Sequence, residues 1–334
     1  MRAAVYTRYG PPEVVSVREV DPPALKADDV LVRVHATAVT AADSRIRAAR
    51  FPRGFAAFAR LAFGVRRPRR HILGSCVSGV VEAVGRDVTA FGVGDEVCGM
   101  AGTRMGGHAE LASVSAGRLV AKPEAVSHED AAGVLFGGTT AWDYLHTTST
   151  VRQGDRVLVI GASGAVGSNA LQLAAIAGAD VTAVTSGRNA ELVRSLGASE
   201  VIDYTSTDIT GIPERYDLVV DTVGTLTGAS GRPLLAPNGV LLLVAADLPQ
   251  NIRARGNVRA GVAAERPADM AALLDLVADG SLRVVLDEVL ALDEIAEAHR
   301  LVDSGHKVGN VVVRPRPGPD ATAALAAPEE ERRP

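Results

Sequence analysis

The sequence predicts an α/β fold in two parts: an antiparallel barrel or sandwich of short strands, followed by a doubly wound parallel sheet. Three observations predict it. Short strand segments punctuated by glycine occupy residues 1 to about 125. From residue 156 onwards, apolar strand segments alternate with helical segments. Between the first strand and the first helix of this second part, three glycines recur at a spacing of three.

The first half of the chain has the features of short strands. The segment VLVRVHATAV, which begins at Val30, is apolar and rich in β-branched residues. VSGVVEAVG from Val77 and FGVGDEVCG from Phe91 are apolar segments interrupted by glycine. Short strands bounded by glycine are typical of antiparallel barrels and sandwiches, so we expect one of these for the first half.

The second half alternates between strands and helices. RVLVIG from Arg156 predicts a strand, and AVGSNALQLAAIAG from Ala165 predicts a helix. The strands DVTAVTS, YDLVVDTVG and GVLLLVAAD and the helices RNAELVRSLGA and PADMAALLDLVADG continue the pattern. This alternation predicts parallel strands with helices on both faces of the sheet. The tail, residues 315–334, is rich in Pro, Ala and charged residues and is predicted to be disordered.

Length and composition restrict the class of protein. A chain of 334 residues suits two domains. A content of 47% hydrophobic and 22% charged residues is typical of a globular protein, and a net charge of -4 argues against a nucleic-acid partner. We find no signal peptide and no bilayer-spanning run, so we expect a cytoplasmic protein with no membrane partner. Cys76 and Cys98 are expected to be reduced thiols, although a single bridge between them stays open.

The glycine run predicts a phosphate-binding turn. A tight turn, a close backbone approach to a pyrophosphate and free amides at a helix N-terminus favour residues without side chains. The alternative is a tight turn that binds nothing. The predicted dinucleotide contacts in VIGASGAVG are Gly161, Ala162, Ser163, Gly164, Ala165, Val166 and Gly167.

The end of the second parallel strand indicates which dinucleotide is bound. NAD sites usually carry an acidic residue there, which holds the ribose hydroxyls. This chain has Thr185 and Ser186 instead, followed by Arg188. Hydroxyls and a guanidinium suit a 2′-phosphate, so NADP(H) is predicted as the cofactor. The alternative for Arg188 is a solvated residue at the start of a helix.

Several segments together resemble the medium-chain dehydrogenase/reductase superfamily, in its zinc-independent quinone-oxidoreductase (zeta-crystallin-like) branch. These segments are VLVRVHATAVTAAD, ILGSCVSGVVEAVGRDVTAFGVGDEVCG, FGGTTAWDYL, VLVIGASGAVGSNALQLA, VTSGRNAELVRSLGASEVIDY, YDLVVDTVG and HKVGNVVV. The resemblance implies a GroES-like barrel at residues 1–125, completed by about 285–314, and a Rossmann NADP-binding domain at 126–284. It also implies an active site in the cleft between them, and a homodimer.

The resemblance also bears on metal binding. The positions of the zinc ligands in metal-dependent members match Thr40, Ser75 and Cys76 here, and Gly137 and Gly138 stand near a further ligand position. Catalytic zinc needs three converging ligands, which Cys76 alone cannot supply, so no metal site and no zinc are predicted. Without a Lewis acid, a conjugated acceptor that spreads charge onto its own oxygen is favoured over an isolated ketone or alcohol.

The resemblance implies further site residues. Those near the nicotinamide end are Thr40, Thr140, Val223, Ala245 and Asn310. Asp43 orients neighbours or relays a proton, or else caps a helix. Thr140, at an expected helix start, binds nicotinamide or substrate, or caps the helix. Arg47 or a water molecule stabilises the oxyanion. Tyr204 lies against the adenosine phosphate, or in the core.

Nine arginines lie between Arg45 and Arg70 around the apolar stretch GFAAFARLAFG. This segment is a lid for an anionic or aromatic substrate, or a solvated basic face. The predicted function is an NADPH-dependent, zinc-free reductase that transfers hydride to a quinone or an α,β-unsaturated carbonyl of small size. One alternative is an enoyl or alkenal double-bond reductase in a specialised biosynthetic pathway. Another is a non-catalytic NADPH-binding scaffold or sensor.

Overall fold

A computed structural model describes residues 1–315, so the predicted disordered tail lies outside the described residues except for Pro315. The strands of the first part are β1 (Arg2–Val5), β2 (Ser16–Glu19), β3 (Asp29–Val39), β4 (Cys76–Val84), β5 (Glu96–Met100), β6 (Leu111–Ser115) and β7 (Leu119–Ala121). Its helices, both between β3 and β4, are α1 (Ala41–Ala48) and α2 (Ala56–Phe63).

The second part alternates strands and helices. Its strands are β8 (Arg156–Ile160), β9 (Asp180–Thr185), β10 (Glu200–Asp203), β11 (Tyr216–Asp221), β12 (Leu235–Leu243) and β13 (Val258–Ala260). Its helices are α3 (His128–Trp142), α4 (Ala165–Ile176), α5 (Ala190–Ser195), α6 (Gly228–Gly231), α7 (Leu248–Arg253) and α8 (Pro267–Ala278). The chain ends with β14 (Leu286–Ala291), α9 (Ile295–Asp303) and β15 (Asn310–Arg314).

The first sheet is mostly antiparallel and includes the last two strands of the chain. Its order is β14-β15-β3-β4-β5-β7, and β6 pairs with the first half of β3. Only the pair β14–β15 is parallel among these described strands. Because Val311 pairs with Val39 and Val312 with Ala38, β15 lies directly beside the end of β3. Thr40 follows the last residue of β3, and Asn310 is the first residue of β15. The pairing therefore places them beside each other at the same end of these two strands.

The second sheet is parallel throughout, in the order β10-β9-β8-β11-β12-β13. The strand order reverses between β8 and β11, and in such sheets a crevice opens at the carboxyl ends of the strands at that point. The prediction of an α/β fold with a doubly wound parallel sheet is confirmed. Between residues 1 and 315, no helix combines the length and apolar character that crossing a bilayer requires.

One buried apolar cluster joins the two sheets through α3. It includes Cys98 of the antiparallel sheet, Leu135 of α3 and Val159 of the parallel sheet, all fully buried. A fully buried side chain of this size contributes about 1.5–3 kcal/mol to folding. Close approach is also required, because a Cβ at Gly137 of α3 would lie 2.2 Å from the carbonyl oxygen of Ala165. The start of α4 is therefore packed directly on α3.

Candidate active site

The turn between β8 and α4 has the shape that a dinucleotide phosphate requires. Gly161 has φ +78°, which favours glycine. A Cβ at Gly167 would lie 2.0 Å from the carbonyl oxygen of Gly161, so this glycine lets the turn pack on the helix. A Cβ at Gly164 would meet only that carbonyl, at 3.4 Å, and would otherwise project into open space. No side chain caps α4, which leaves its first N–H groups available to an anion.

Two cavities meet at this turn. The outer cavity, of about 510 Å³, lies beside the ends of β9 and β10, and its lining includes Ser163, Ser186, Arg188, Asn189 and Tyr204. The inner cavity, of about 450 Å³, lies between the turn and α1, and its lining includes Thr40, Ser44, Arg45, Arg50, Ala165 and Asn310. The residues that line both cavities are Gly161, Gly164, Val223, Gly305 and Lys307.

The polar side chains of the outer cavity are held by neighbours. The Thr185 hydroxyl donates to Ser163 Oγ at 2.8 Å, and Asn189 Nδ2 donates to the same oxygen at 3.0 Å. Arg188 donates to the carbonyl oxygen of His306 at 3.1 Å. Thr185 is buried and supports the turn, and it lines the cavity together with Ser186 and Arg188. Asn189 was not among the predicted residues.

Tyr204 lies in the outer cavity and not in the core, since 51% of its surface is exposed. Asp208 also lines this cavity. Its carboxylate accepts hydrogen bonds from the hydroxyl and amide of Thr210, at 2.7 and 2.9 Å, and these lower its pKa. The cavity thus combines hydroxyls, a guanidinium and an aromatic ring with one acid that already has local partners.

Thr40 and Asp43 form a capping box at the start of α1. Asp43 Oδ2 accepts hydrogen bonds from the Thr40 amide at 2.9 Å and from the Thr40 hydroxyl at 2.6 Å. Its other oxygen accepts from the amide of Gly74 at 2.9 Å. Asp43 is fully buried and does not line the inner cavity, whereas Thr40 does. The structure therefore favours the helix-capping role of Asp43, in which it fixes the Thr40 hydroxyl.

Arg47 lies behind the inner cavity and does not line it. Its guanidinium is fully buried and donates to Asp303 of α9 at 2.5 Å and to the carbonyl oxygen of Gly10 at 2.6 Å. The expected contact between Arg47 and a substrate oxyanion is therefore corrected. The side chain is on the face of α1 that packs against α9, where its charge is paired and shielded from any ligand.

Thr140 is at the end of a helix, not at the start. α3 begins after Ser127, whose side chain accepts from the amide of Asp130 at 3.0 Å. The helix then continues through Gly137 and Gly138 to Trp142. The Thr140 hydroxyl donates back to the carbonyl oxygen of Phe136 at 2.7 Å. It lines neither cavity, so the expected place of Thr140 at a helix start is wrong, and its contact with nicotinamide stays a prediction.

The remaining predicted contacts divide by position. Val223 lines both cavities and Asn310 lines the inner one, where its Nδ2 donates to the carbonyl oxygen of Val285 at 3.1 Å. Ala162 is fully buried beneath the turn. Ala245 follows β12, and it lines neither of the two cavities.

Lys307 is a site residue that sequence reasoning missed. It lies in the loop before β15 and lines both cavities. The Gly309 amide donates to the Ser163 carbonyl oxygen at 2.8 Å and thereby holds this loop against the glycine turn. The Lys307 ammonium donates to the Gly309 carbonyl oxygen, and burial lowers its pKa to about 8. A cation thus stands where the two cavities meet.

The residues at the expected zinc positions do not fit that metal. The Thr40 hydroxyl is directed at Asp43. Cys76 is fully buried, and burial raises the pKa of its thiol, whereas zinc binds the thiolate. Within residues 1–315, no group of three or more His, Cys, Asp and Glu side chains could hold a metal ion.

Two family descriptions match the chain. Residues 26–124 match the alcohol dehydrogenase GroES-like domain, and residues 196–313 match the zinc-binding dehydrogenase family. The chain is 31% identical to the mitochondrial NAD(P)H oxidoreductase RTN4IP1 of Mus musculus, over 94% of this chain and 89% of that protein. It is 30% identical to the chloroplastic NADPH-dependent alkenal/one oxidoreductase of Arabidopsis thaliana, over 95% of this chain and 80% of that protein.

A solved structure is similar over nearly the whole chain. The quinone oxidoreductase from Coxiella burnetii superposes with a TM-score of 0.85 at 28% identity, covering 95% of this chain and 99% of that one. Similarity of this extent includes both sheets and the cleft between them. The chain is an oxidoreductase, and it belongs to the quinone-oxidoreductase branch of the medium-chain dehydrogenase/reductase superfamily.

Proposed function

We propose that this protein is an NADPH-dependent, zinc-independent reductase that transfers hydride to a quinone or to the β-carbon of an α,β-unsaturated carbonyl. The observation that carries the proposal is the meeting of the two cavities at Gly161 and Gly164, beside the uncapped start of α4. An extended dinucleotide can lie across that junction with its phosphates on the helix N-terminus. Its adenosine end then occupies the outer cavity and its nicotinamide end the inner one.

The outer cavity supports NADP(H) over NAD(H). Ser186 and Arg188 stand at the end of β9, where an acid would otherwise hold the ribose hydroxyls. A 2′-phosphate accepts hydrogen bonds and carries charge, which the Arg188 guanidinium can meet. Asp208 is already bound by Thr210. One of the relatives named above is described as NADPH-dependent.

The inner cavity supports reduction of a conjugated acceptor. When bound, NADPH supplies the hydride. A quinone or enone spreads the resulting charge onto its own oxygen, so protein hydrogen bonds are enough and no Lewis acid is needed. The Thr40 hydroxyl donates to Asp43 and accepts from the Asp43 amide at 3.3 Å, so towards a bound group it has only acceptor capacity left. Thr40 therefore orients the bound molecules and does not donate the proton.

Water is the proposed proton source. Arg50 lines the inner cavity while 71% of its side chain is exposed, so the mouth of the cavity is open to solvent. Relatives described as alkenal or quinone reductases give support to both kinds of acceptor. We keep alkenal reduction as the second candidate because it needs the same orientation of hydride and acceptor.

Assembly and location follow from two further observations. The short strand β13 is an edge of the parallel sheet, and Val262 just beyond it is 93% exposed, which supports a homodimer through this edge. Cys76 and Cys98 are free and buried, which supports a reducing compartment such as the cytoplasm.

The test is NADPH oxidation with 1,4-benzoquinone and with 3-penten-2-one, alongside metal analysis of the purified protein. We expect turnover with at least one acceptor and no stoichiometric zinc. Tight binding of NADPH without turnover on any quinone or enone would favour a scaffold or sensor. One zinc ion per chain, whose removal abolishes activity, would contradict the proposal.

A further inference from the structure

The inner cavity carries more positive charge than its lining balances. The cations in the lining are Arg45, Arg50 and Lys307, and the acid is Asp303. α1 already occupies both oxygens of that carboxylate, because the Ser44 hydroxyl donates to Oδ1 and Arg47 donates to Oδ2 at 2.5 Å. Arg50 is farther from it, at 3.6 Å. The negative charge of Asp303 therefore balances mainly the guanidinium of Arg47, which lies outside the cavity.

Arg45 has no acidic partner within ion-pair distance in the described part of the chain. Arg45 is exposed to solvent at the cavity, and the protein packed around its guanidinium lowers the pKa of that group. Arginine stays charged at any working pH, so this position holds a cation without an acidic partner. An anionic ligand in the cavity would supply that partner.

The three cations lie at different places relative to the bound dinucleotide and the acceptor. Lys307 lines both cavities and stands at their junction, where the phosphates of the dinucleotide would cross. Arg45 and Arg50 line the inner cavity only. The backbone amide of Arg50 donates to the carbonyl oxygen of Arg45 at 2.9 Å, so the two residues lie together at the end of α1. They are on the side of the cavity that the acceptor would occupy.

We propose that the preferred acceptor is an anionic conjugated carbonyl, whose carboxylate is bound by Arg45 and Arg50. Guanidinium groups recognise carboxylates with paired, charge-assisted hydrogen bonds, which fits this role better than a neutral quinone does. In the balanced reaction, hydride adds to the β-carbon and a proton from water to the α-carbon, while NADPH becomes NADP+. The carboxylate is unchanged. This inference rests on the proposed function and narrows its substrate class.

The test compares 4-oxo-2-pentenoate with its methyl ester, which is neutral and intrinsically the more electrophilic of the two. Substituting both arginines, Arg45→Gln and Arg50→Gln, should lower kcat/KM for the acid by about 10- to 100-fold, the usual size for charge-assisted contacts. The ester should change by less than about threefold. Arg194→Gln is the matched control, since Arg194 is exposed on α5, outside this segment, and lines neither cavity. It should alter neither value.

A binding measurement separates this inference from the proposed function. Calorimetry with NADP+ present should detect binding of 4-oxopentanoate to the natural chain and loss of at least about tenfold in affinity in the double variant. If neither acceptor is reduced but the acid still binds through the two arginines, the proposed function fails and the anion site stands. If the ester and the acid respond alike to the double substitution, and 4-oxopentanoate does not bind, the inference is overturned.

Discussion

The guanidinium of Arg47 lies 2.5 Å from the carboxylate of Asp303 and joins α1 to α9. These helices carry the two sides of the inner cavity: α1 begins just after Thr40, and α9 ends just before the loop that contains Lys307. The Arg47 end of this ion pair is fully buried behind the cavity, and the Asp303 end lines it, so the pair holds the two sides of the cavity together.

Removal of this pair is predicted to destabilise the fold. Arg47→Met leaves the partly buried Asp303 with a weak partner, and breaking a buried pair costs about 3–5 kcal/mol. Arg50→Met, which removes a mostly exposed partner of the same carboxylate, should cost no more than about 1 kcal/mol. Urea unfolding followed by circular dichroism measures both. Equal losses for the two variants would contradict the assignment of the pair as structural.

The glycines of the turn are predicted to separate binding from folding. At Gly164 a methyl group meets open space, so Gly164→Ala should fold normally and obstruct the phosphates. We expect NADPH affinity to fall about tenfold or more, with the melting temperature nearly unchanged. At Gly167 a Cβ would strike the Gly161 carbonyl oxygen, so Gly167→Ala should lower the melting temperature. Normal NADPH binding by Gly164→Ala would contradict the assignment of this turn as the phosphate-binding site.

Arg188 is predicted to select the cofactor. Arg188→Ala should raise the KM for NADPH by about 10- to 100-fold through loss of charge-assisted hydrogen bonds, and the KM for NADH by less than about threefold. Arg194→Ala is the matched control, because Arg194 is exposed on α5 and lines neither cavity. Steady-state kinetics with both cofactors decide the matter, and an equal effect on NADPH and NADH would refute the role.

Lys307 is predicted to make NADPH binding depend on pH. Its pKa in the free protein is about 8, and a nearby phosphate favours the charged form, so binding should take up a proton above that pH. Affinity should then be constant below about pH 8 and fall above it, by at most about tenfold per pH unit. Lys307→Arg keeps its charge and should flatten this profile. Fluorescence titrations over this range test the effect, and a flat profile for the natural chain would contradict it.

Local signals predicted the parallel sheet and its turn well. The strand–turn–helix pattern around Gly161, Gly164 and Gly167 depends on residues close in sequence, and the structure gives a steric reason for Gly161 and Gly167 and open space at Gly164. The same holds for Ser186 and Arg188, whose place at the end of β9 follows from the strand itself.

Contacts between distant parts of the chain could not be predicted in the same way. Arg47 was expected at the ligand because nothing in its own segment reveals Asp303, 256 residues away. Lys307 was missed because its place depends on the Gly309 amide binding Ser163 at the turn. Thr140 was expected at a helix start, but α3 begins at His128, and Gly137 within it provides room for close packing against Ala165.

The most direct test of the central claim follows deuterium from NADPH labelled at the 4-position of the nicotinamide into 3-penten-2-one or 4-oxo-2-pentenoate. The account predicts one deuterium at the β-carbon of the saturated product, from one face of the nicotinamide only, and a slower rate of this transfer in Gly164→Ala when NADPH is below saturation. Product without deuterium from either labelled face, or transfer that is unaffected by Gly164→Ala, would contradict direct hydride transfer in this cleft.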